Sequence, residues 1–267
     1  MEDMSIALSC MRSEAGNIAG NLDSMLRKIE EAKMLGADMI VFPELSLTGY
    51  AVSSGKIVET GEYSSEFRRL VAASMDICIC FGYVDYEGHI VQAIAERGKI
   101  VGEYWKTHLG DAESERIVPG DSLDVIYTKK AVFGIQLCWE SHFPDITRTY
   151  AQNGADVVLM PTASSLPPQR RMDIWNRTLP ARAYDNSVYV VAVNASGDNG
   201  CGVNFGGCAM VLDPFGKVIA QDSSGDEARL VTDLRKEPLE LIREGDGYVT
   251  MRNVYYLDRR RPELYRE

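Results

Sequence analysis

Gly36-Ala-Asp-Met-Ile-Val-Phe-Pro43 returns, in altered form, as Gly154-Ala-Asp-Val-Val-Leu-Met-Pro161. Each copy carries a Gly-Ala-Asp connection into a short apolar run closed by proline, the composition of a buried strand. Each is preceded by a helical stretch and, earlier still, by an apolar run ending in cysteine: Ile6-Ala-Leu-Ser-Cys10 before the first and Gly134-Ile-Gln-Leu-Cys138 before the second. Two β-α-β units built alike predict an α/β protein of two-fold pseudo-symmetry, with two sheets packed face to face and helices outside.

The flanking segments agree. Leu22, Met25, Leu26, Ile29 and Ala32 keep the spacing that lays one apolar stripe on a sheet, and Gly36 is placed to stop that helix. Residues 66–74 repeat the pattern with Phe67, Leu70 and Val71, and residues 169–186 read as a third helix that Pro180 must bend or restart. Strands follow at Val188–Val193, Gly207–Leu212 and Val218–Ala220. Asp213-Pro-Phe-Gly216 supplies a tight turn between the last two, and therefore a hairpin. No low-complexity linker divides the 267 residues, so a single domain spanning 1–267 is expected, with a polar tail from 234 onward that docks through Tyr255-Tyr-Leu257.

Composition narrows the partners. A net charge of -11 disfavours nucleic acid and anionic membrane, both of which reward positive patches. The short Arg259-Arg-Arg261 run reads as a solvated or salt-bridged tail. No apolar run approaches the length of a bilayer crossing, and the acidic start lacks the pattern of a secretory signal, so a soluble cytoplasmic protein is expected. Six cysteines show neither CxxC pairing nor metal-ligand spacing, and no metal or organic cofactor is expected. Cys78 and Cys80 alternate onto one strand face as core thiols.

Glu44, Lys106 and Cys138 each follow directly on an apolar run: Met39-Ile-Val-Phe-Pro43, Ile100-Val-Gly-Glu-Tyr-Trp105 and Ala131-Val-Phe-Gly-Ile-Gln-Leu137. In α/β sheets chemistry gathers beyond the carboxyl ends of strands. A thiol, an ammonium and a carboxylate delivered there make a nucleophile, its electrostatic partner and a general base. Taken singly, each has a plain structural use: a core thiol, a snorkelling lysine, a turn-capping carboxylate.

The words around them resemble the carbon-nitrogen hydrolase (nitrilase-like) superfamily. They are Phe42-Pro-Glu-Leu-Ser-Leu-Thr-Gly-Tyr50, Tyr104-Trp-Lys-Thr-His-Leu109, Gly134-Ile-Gln-Leu-Cys-Trp-Glu140 with Phe143-Pro144, Pro161-Thr-Ala-Ser164, Arg182-Ala-Tyr-Asp-Asn186, Asp213-Pro-Phe-Gly216 and Arg261-Pro-Glu-Leu-Tyr265. The resemblance implies a four-layer αββα sandwich, commonly a homodimer. It implies a hydrolase that cleaves the C–N bond of a small amide or carbamoyl compound through a cysteine thioester, with a nitrile-hydrolysing enzyme or a non-catalytic binding protein on the same fold as alternatives. Cys138 would be the nucleophile, Glu44 the base, Lys106 the cation beside the oxyanion, Glu113 the carboxylate that holds the lysine, and the Trp139 N–H the second oxyanion donor. Pocket walls are expected from Tyr50, Trp139, Glu140, His142 and Ser164, with Trp175 as wall or core. Glu140 and His142 suggest a cationic or polar substrate end; Arg170 and Arg171 could meet a carboxylate, although solvation is their default use. Trp105, Asp185 and Cys208 stand where the family more often has Arg, Glu and Ser, and none touches the proposed reaction centre.

Other chemistries fit less well. His142 lies only four residues from Cys138, whereas Cys-His pairs come from separated segments, and no Gly-x-Cys-x-Gly elbow is present. The glycines of 200–207 do not stand between a strand and a helix, as phosphate cradling requires, and read as a bending hairpin or pocket rim.

Overall fold

Both repeats fold as β-α-β units. In the computed structural model, which describes residues 1–245 and 255–265, strand β1 (Met4–Ser9) passes through helix α1 (Ile18–Met34) into β2 (Met39–Val41). Asn17 caps α1 by accepting the Gly20 N–H at 3.1 Å. Gly36 closes it at φ +74°, a left-handed conformation that glycine adopts without a Cβ clash. The predicted stripe is observed: Leu22, Met25, Ile29 and Ala32 are buried and Leu26 half-buried. Helix α2 (Ser65–Ala72), capped by Ser64, leads to β3 (Cys78–Val84), and the meander β4 (Ile90–Glu96) and β5 (Lys99–Trp105) completes this half.

The second half opens with the short helix α3 (Asp111–Ser114) and strands β6 (Ile126–Tyr127) and β7 (Val132–Ile135). Helix α4 (Pro144–Gln152) then joins β7 to β8 (Val157–Thr162), and helix α5 (Pro168–Asn186) joins β8 to β9 (Tyr189–Asn194). A small ribbon, β10 (Gly197–Asp198) with β11 (Asn204–Phe205), precedes the hairpin β12 (Gly207–Leu212) and β13 (Val218–Gly225). Strand β14 (Arg229–Leu234) and helix α6 (Glu237–Glu244) follow.

The two six-stranded sheets run β14-β1-β2-β3-β4-β5 and β13-β12-β9-β8-β7-β6. In each, three successive strands are parallel (β1, β2, β3 and β7, β8, β9) and the next two return antiparallel. Identical strand sense in both halves is the pattern that the sequence echo predicts. On the first sheet, Ala7, Ile40, Ile79 and Phe81 pack outward on α1 and α2. Their neighbours Ile6, Leu8, Met39, Val41 and Cys80 turn inward to the core that includes Phe133, Ile135 and Leu159 of the other sheet. Helices α4 and α5 cover that sheet's outer side, Tyr150 lying against Gly134 and Trp175, Leu179 and Ala183 fully buried. The result is an αββα sandwich. No helix among the described residues is long and apolar enough to cross a membrane.

Three readings need correction. Helix α5 continues through Pro180 and does not restart there, because the loss of one amide donor is outweighed by burial of Trp175, Leu179 and Ala183 on either side. Strand β14 was not anticipated; it adds a C-terminal segment to the first sheet, antiparallel to β1 with Leu234 opposite Met4. The segment from 234 is no featureless tail, since α6 buries Leu239 and Ile242. Residues 246–254 and 266–267 of that segment lie outside the described residues. Further on, the Tyr256 hydroxyl meets that of Tyr184 on α5 at 3.0 Å and Leu257 packs on the core, so this stretch does dock. In the basic run, Arg261 pairs with Glu263 at 2.6 Å and Arg260 lies over the Tyr265 ring.

Candidate active site

Each of the three reactive residues leaves the carboxyl end of a strand. Glu44 follows β2 by three positions, Lys106 directly follows β5, and Cys138 opens a 3-10 turn (Cys138–His142) just beyond β7. The backbone is held in unusual conformations there: Cys138 has φ +40° and Leu45, next to Glu44, φ +53°. Left-handed geometry at non-glycine residues costs about 1–3 kcal/mol each and persists only where the surroundings enforce it. One enforcing contact is visible behind Glu44. Gly82 of β3 approaches so closely that a Cβ there would lie 2.4 Å from the Leu45 nitrogen.

The side chains converge. Lys106 Nζ donates to Glu44 Oε1 at 2.7 Å and to Glu113 Oε1 at 2.8 Å, with all three residues at most 3% exposed. The Tyr50 hydroxyl donates to Glu113 Oε1 at 2.9 Å, and the Gly110 N–H to Glu113 Oε2 at 2.9 Å, fixing that carboxylate at the mouth of α3. Glu44 Oε2 accepts the Ala163 N–H, just beyond the end of β8, at 3.1 Å. The Glu44 and Lys106 charges both act on the Cys138 thiol, so the trio meets in one cleft.

Electrostatics set the resting protonation. Burial pushes the Glu44 carboxyl up to about 7, against the pull of the Lys106 ammonium and with help from Glu113. Burial also opposes charge on Lys106, but Glu44 and Glu113 outweigh it and hold the ammonium protonated. Burial and the Glu44 charge push the Cys138 thiol up to about 12, more than Lys106 and Arg171 pull it down. The resting sulfur is therefore a neutral thiol beside a base, and not a preformed thiolate.

The expected pocket residues separate. Trp139 and His142 are exposed, ring centroids 5.3 Å apart, on the outer lip of the 3-10 turn. Tyr50 is half-buried and occupied with Glu113, and the Asn199 amide of the glycine-rich ribbon donates to its carbonyl at 2.7 Å, so that ribbon rims this side. Ser164 is buried, clasped by Asn194 through N–H···O and N–H···O=C bonds of 2.8 and 3.0 Å. Trp175 is core.

Glu140 is the clear correction. It is 0% exposed. Its Oε1 accepts from the Tyr104 hydroxyl, the Thr107 N–H and hydroxyl, and the His108 N–H, at 2.6–3.0 Å. Its Oε2 accepts the Leu137 N–H at 2.7 Å. A carboxylate so committed cannot face a substrate; it ties the loop that bears Lys106 to the turn that bears Cys138. Sequence reading missed this strut because nothing in Cys-Trp-Glu140 tells whether the glutamate points into the cleft or beneath it. Arg170 and Arg171 also part: Arg170 is exposed, whereas Arg171 is buried.

Comparisons with known proteins agree on the family. The carbon-nitrogen hydrolase family model matches residues 5–244. An (R)-stereoselective amidase of Pseudomonas sp. is 29% identical over 94% of this chain and 92% of its own length. A 2-oxoglutaramate amidase of Bacillus subtilis is 28% identical over 82% of this chain and 86% of its own. A mutant of the amidase from Nesterenkonia sp. AN1, with the acetamide moiety of fluoroacetamide added at its active-site cysteine, superposes with a TM-score of 0.79 at 25% identity, covering 98% of this chain and 95% of that one.

Proposed function

Since the chain belongs to the carbon-nitrogen hydrolase family, we propose that it hydrolyses a small linear amide or carbamoyl compound through a thioester on Cys138. The observation that carries this reading is the buried Lys106 ammonium, which donates to both Glu44 and Glu113 while its charge acts on the Cys138 thiol.

The steps follow from the charges. As the sulfur attacks the carbonyl carbon, Glu44 takes the thiol proton; a base with a pKa near 7 is matched to work at neutral pH. Lys106 and the Trp139 N–H stabilise the developing oxyanion. Glu44 passes its proton to the departing nitrogen, the C–N bond breaks, and ammonia or an amine leaves a thioester. Water then attacks the thioester carbon with Glu44 again as base, and collapse returns the proton to sulfur and frees the acid. Glu113 keeps Lys106 aimed, and Tyr50 and Gly110 keep Glu113 aimed.

The same reading takes the chain as a single-domain cytoplasmic homodimer. Exposed Tyr184, Leu264 and Tyr265 favour self-association around α5 and the chain's end.

Ammonia release from a panel of simple amides, ω-amides, carbamoyl compounds and nitriles tests the proposal. Turnover of an amide or carbamoyl compound by the wild type and none by Cys138→Ala is expected; full turnover by Cys138→Ala refutes it.

A further inference from the structure

Arg171 is 6% exposed, in the first turn of α5. Its Nη2 donates to Ser164 Oγ at 2.5 Å, while Nε and Nη1 find no acceptor among the described residues. No carboxylate pairs with it there. A buried guanidinium without a counter-ion is costly, and such local inconsistencies gather where a ligand completes the site.

Its place identifies the site. Ser164 follows Ala163, the residue whose N–H reaches Glu44, and the Arg171 charge is close enough to act on both the Cys138 thiol and the His142 ring. The carboxylates described around the cleft are already committed: Glu140 is sealed in its own hydrogen bonds, and Glu44 and Glu113 are held by Lys106.

We propose that Arg171 is the specificity-determining residue of this cleft, and that the substrate is a short amide whose far end carries a carboxylate, received by the guanidinium beside Ser164. This deepens the amidase reading and rests on it. A guanidinium presents N–H donors in the planar fork that matches a carboxylate, which an alkyl or ammonium end cannot use.

Succinamate, butyramide and β-alaninamide are matched in length and end in an anion, a methyl and a cation. The wild type should favour succinamate in kcat/KM. Arg171→Met should cut the succinamate-to-butyramide ratio about 10- to 100-fold, the worth of a hydrogen bond to a charged group, and Arg171→Lys should restore part of it. A ratio is insensitive to a general loss of active protein, and the wild-type preference alone still decides if Arg171→Met fails to fold. Equal use of the three amides, or a ratio unmoved in a folded Arg171→Met protein, overturns the anion site and leaves the reaction standing. Calorimetric titration of Cys138→Ala separates the opposite case. Binding of succinamate in preference to butyramide, with no turnover of any amide by the wild type, would uphold the anion site while the reaction falls. No preference in that titration overturns the site.

Discussion

Glu140 accepts N–H bonds from both Thr107 and Leu137, so one buried carboxylate joins the residue after Lys106 to the residue before Cys138. The cation and the nucleophile come from different sheets, and their spacing depends on this strut.

Replacing Glu140 by alanine strands three backbone N–H groups, those of Thr107, His108 and Leu137, around a buried side-chain position. Each unsatisfied group costs about 1–3 kcal/mol, so urea unfolding of Glu140→Ala should show a stability loss of at least about 3 kcal/mol, with activity reduced for every substrate alike. A stable Glu140→Ala protein with altered substrate preference would return Glu140 to the pocket.

Removal of the Lys106 charge leaves Glu44 and Glu113 facing each other in a buried site. Breaking a buried ion pair from one side costs about 3–5 kcal/mol. Loss of an oxyanion donor costs a further ~10²–10³ in rate. Lys106→Met should therefore melt early and turn over at least ~10²-fold more slowly in steady-state ammonia release; a variant within tenfold of wild type would remove Lys106 from the reaction.

The pH profile follows from Glu44. The base must be ionised, so kcat/KM should rise with pH and level off above about 7, falling about tenfold per unit below it. For stability the sign is opposite. The native carboxyl binds its proton more tightly than the ordinary value of 4.5, so the stabilisation is complete below 4.5 and is lost as pH rises through about 7. Glu44→Gln should flatten this slope in a chemical-denaturation series; an unchanged slope would assign it elsewhere.

Much of this was legible from sequence. The Gly-Ala-Asp echo gave the repeated β-α-β units because a helix-stopping glycine and a buried apolar run have strong local signatures. Glu44, Lys106 and Cys138 stood out because strand ends are where side chains can be aimed. Orientation was not legible. Glu140 and Arg171 are charged residues in polar words, which by default face water, and only packing from other elements buries them. Strand β14 escaped because its pairing with β1 spans nearly the whole chain, and Arg229-Leu-Val-Thr-Asp-Leu234 alternates only weakly. Pro180 does not restart its helix because local propensity yields to the burial of its neighbours.

Reactivity should follow from the protonation states of the site. With Cys138 held as a thiol beside Glu44, its alkylation should gain from base assistance near neutral pH, and Glu44→Gln should slow it. The buried thiols Cys78 and Cys80, which burial also raises, should resist the reagent at every pH below unfolding. Equal labelling of Cys138 in wild type and Glu44→Gln would deny the carboxylate its role as base.

The central claim is that Cys138 forms the covalent bond with the acyl carbon. Rapid acid quench during turnover of a good amide, followed by intact mass and peptide mapping, should reveal one acyl group on Cys138, absent from Cys138→Ala. An acyl group on another residue, or steady turnover by Cys138→Ala, would contradict it.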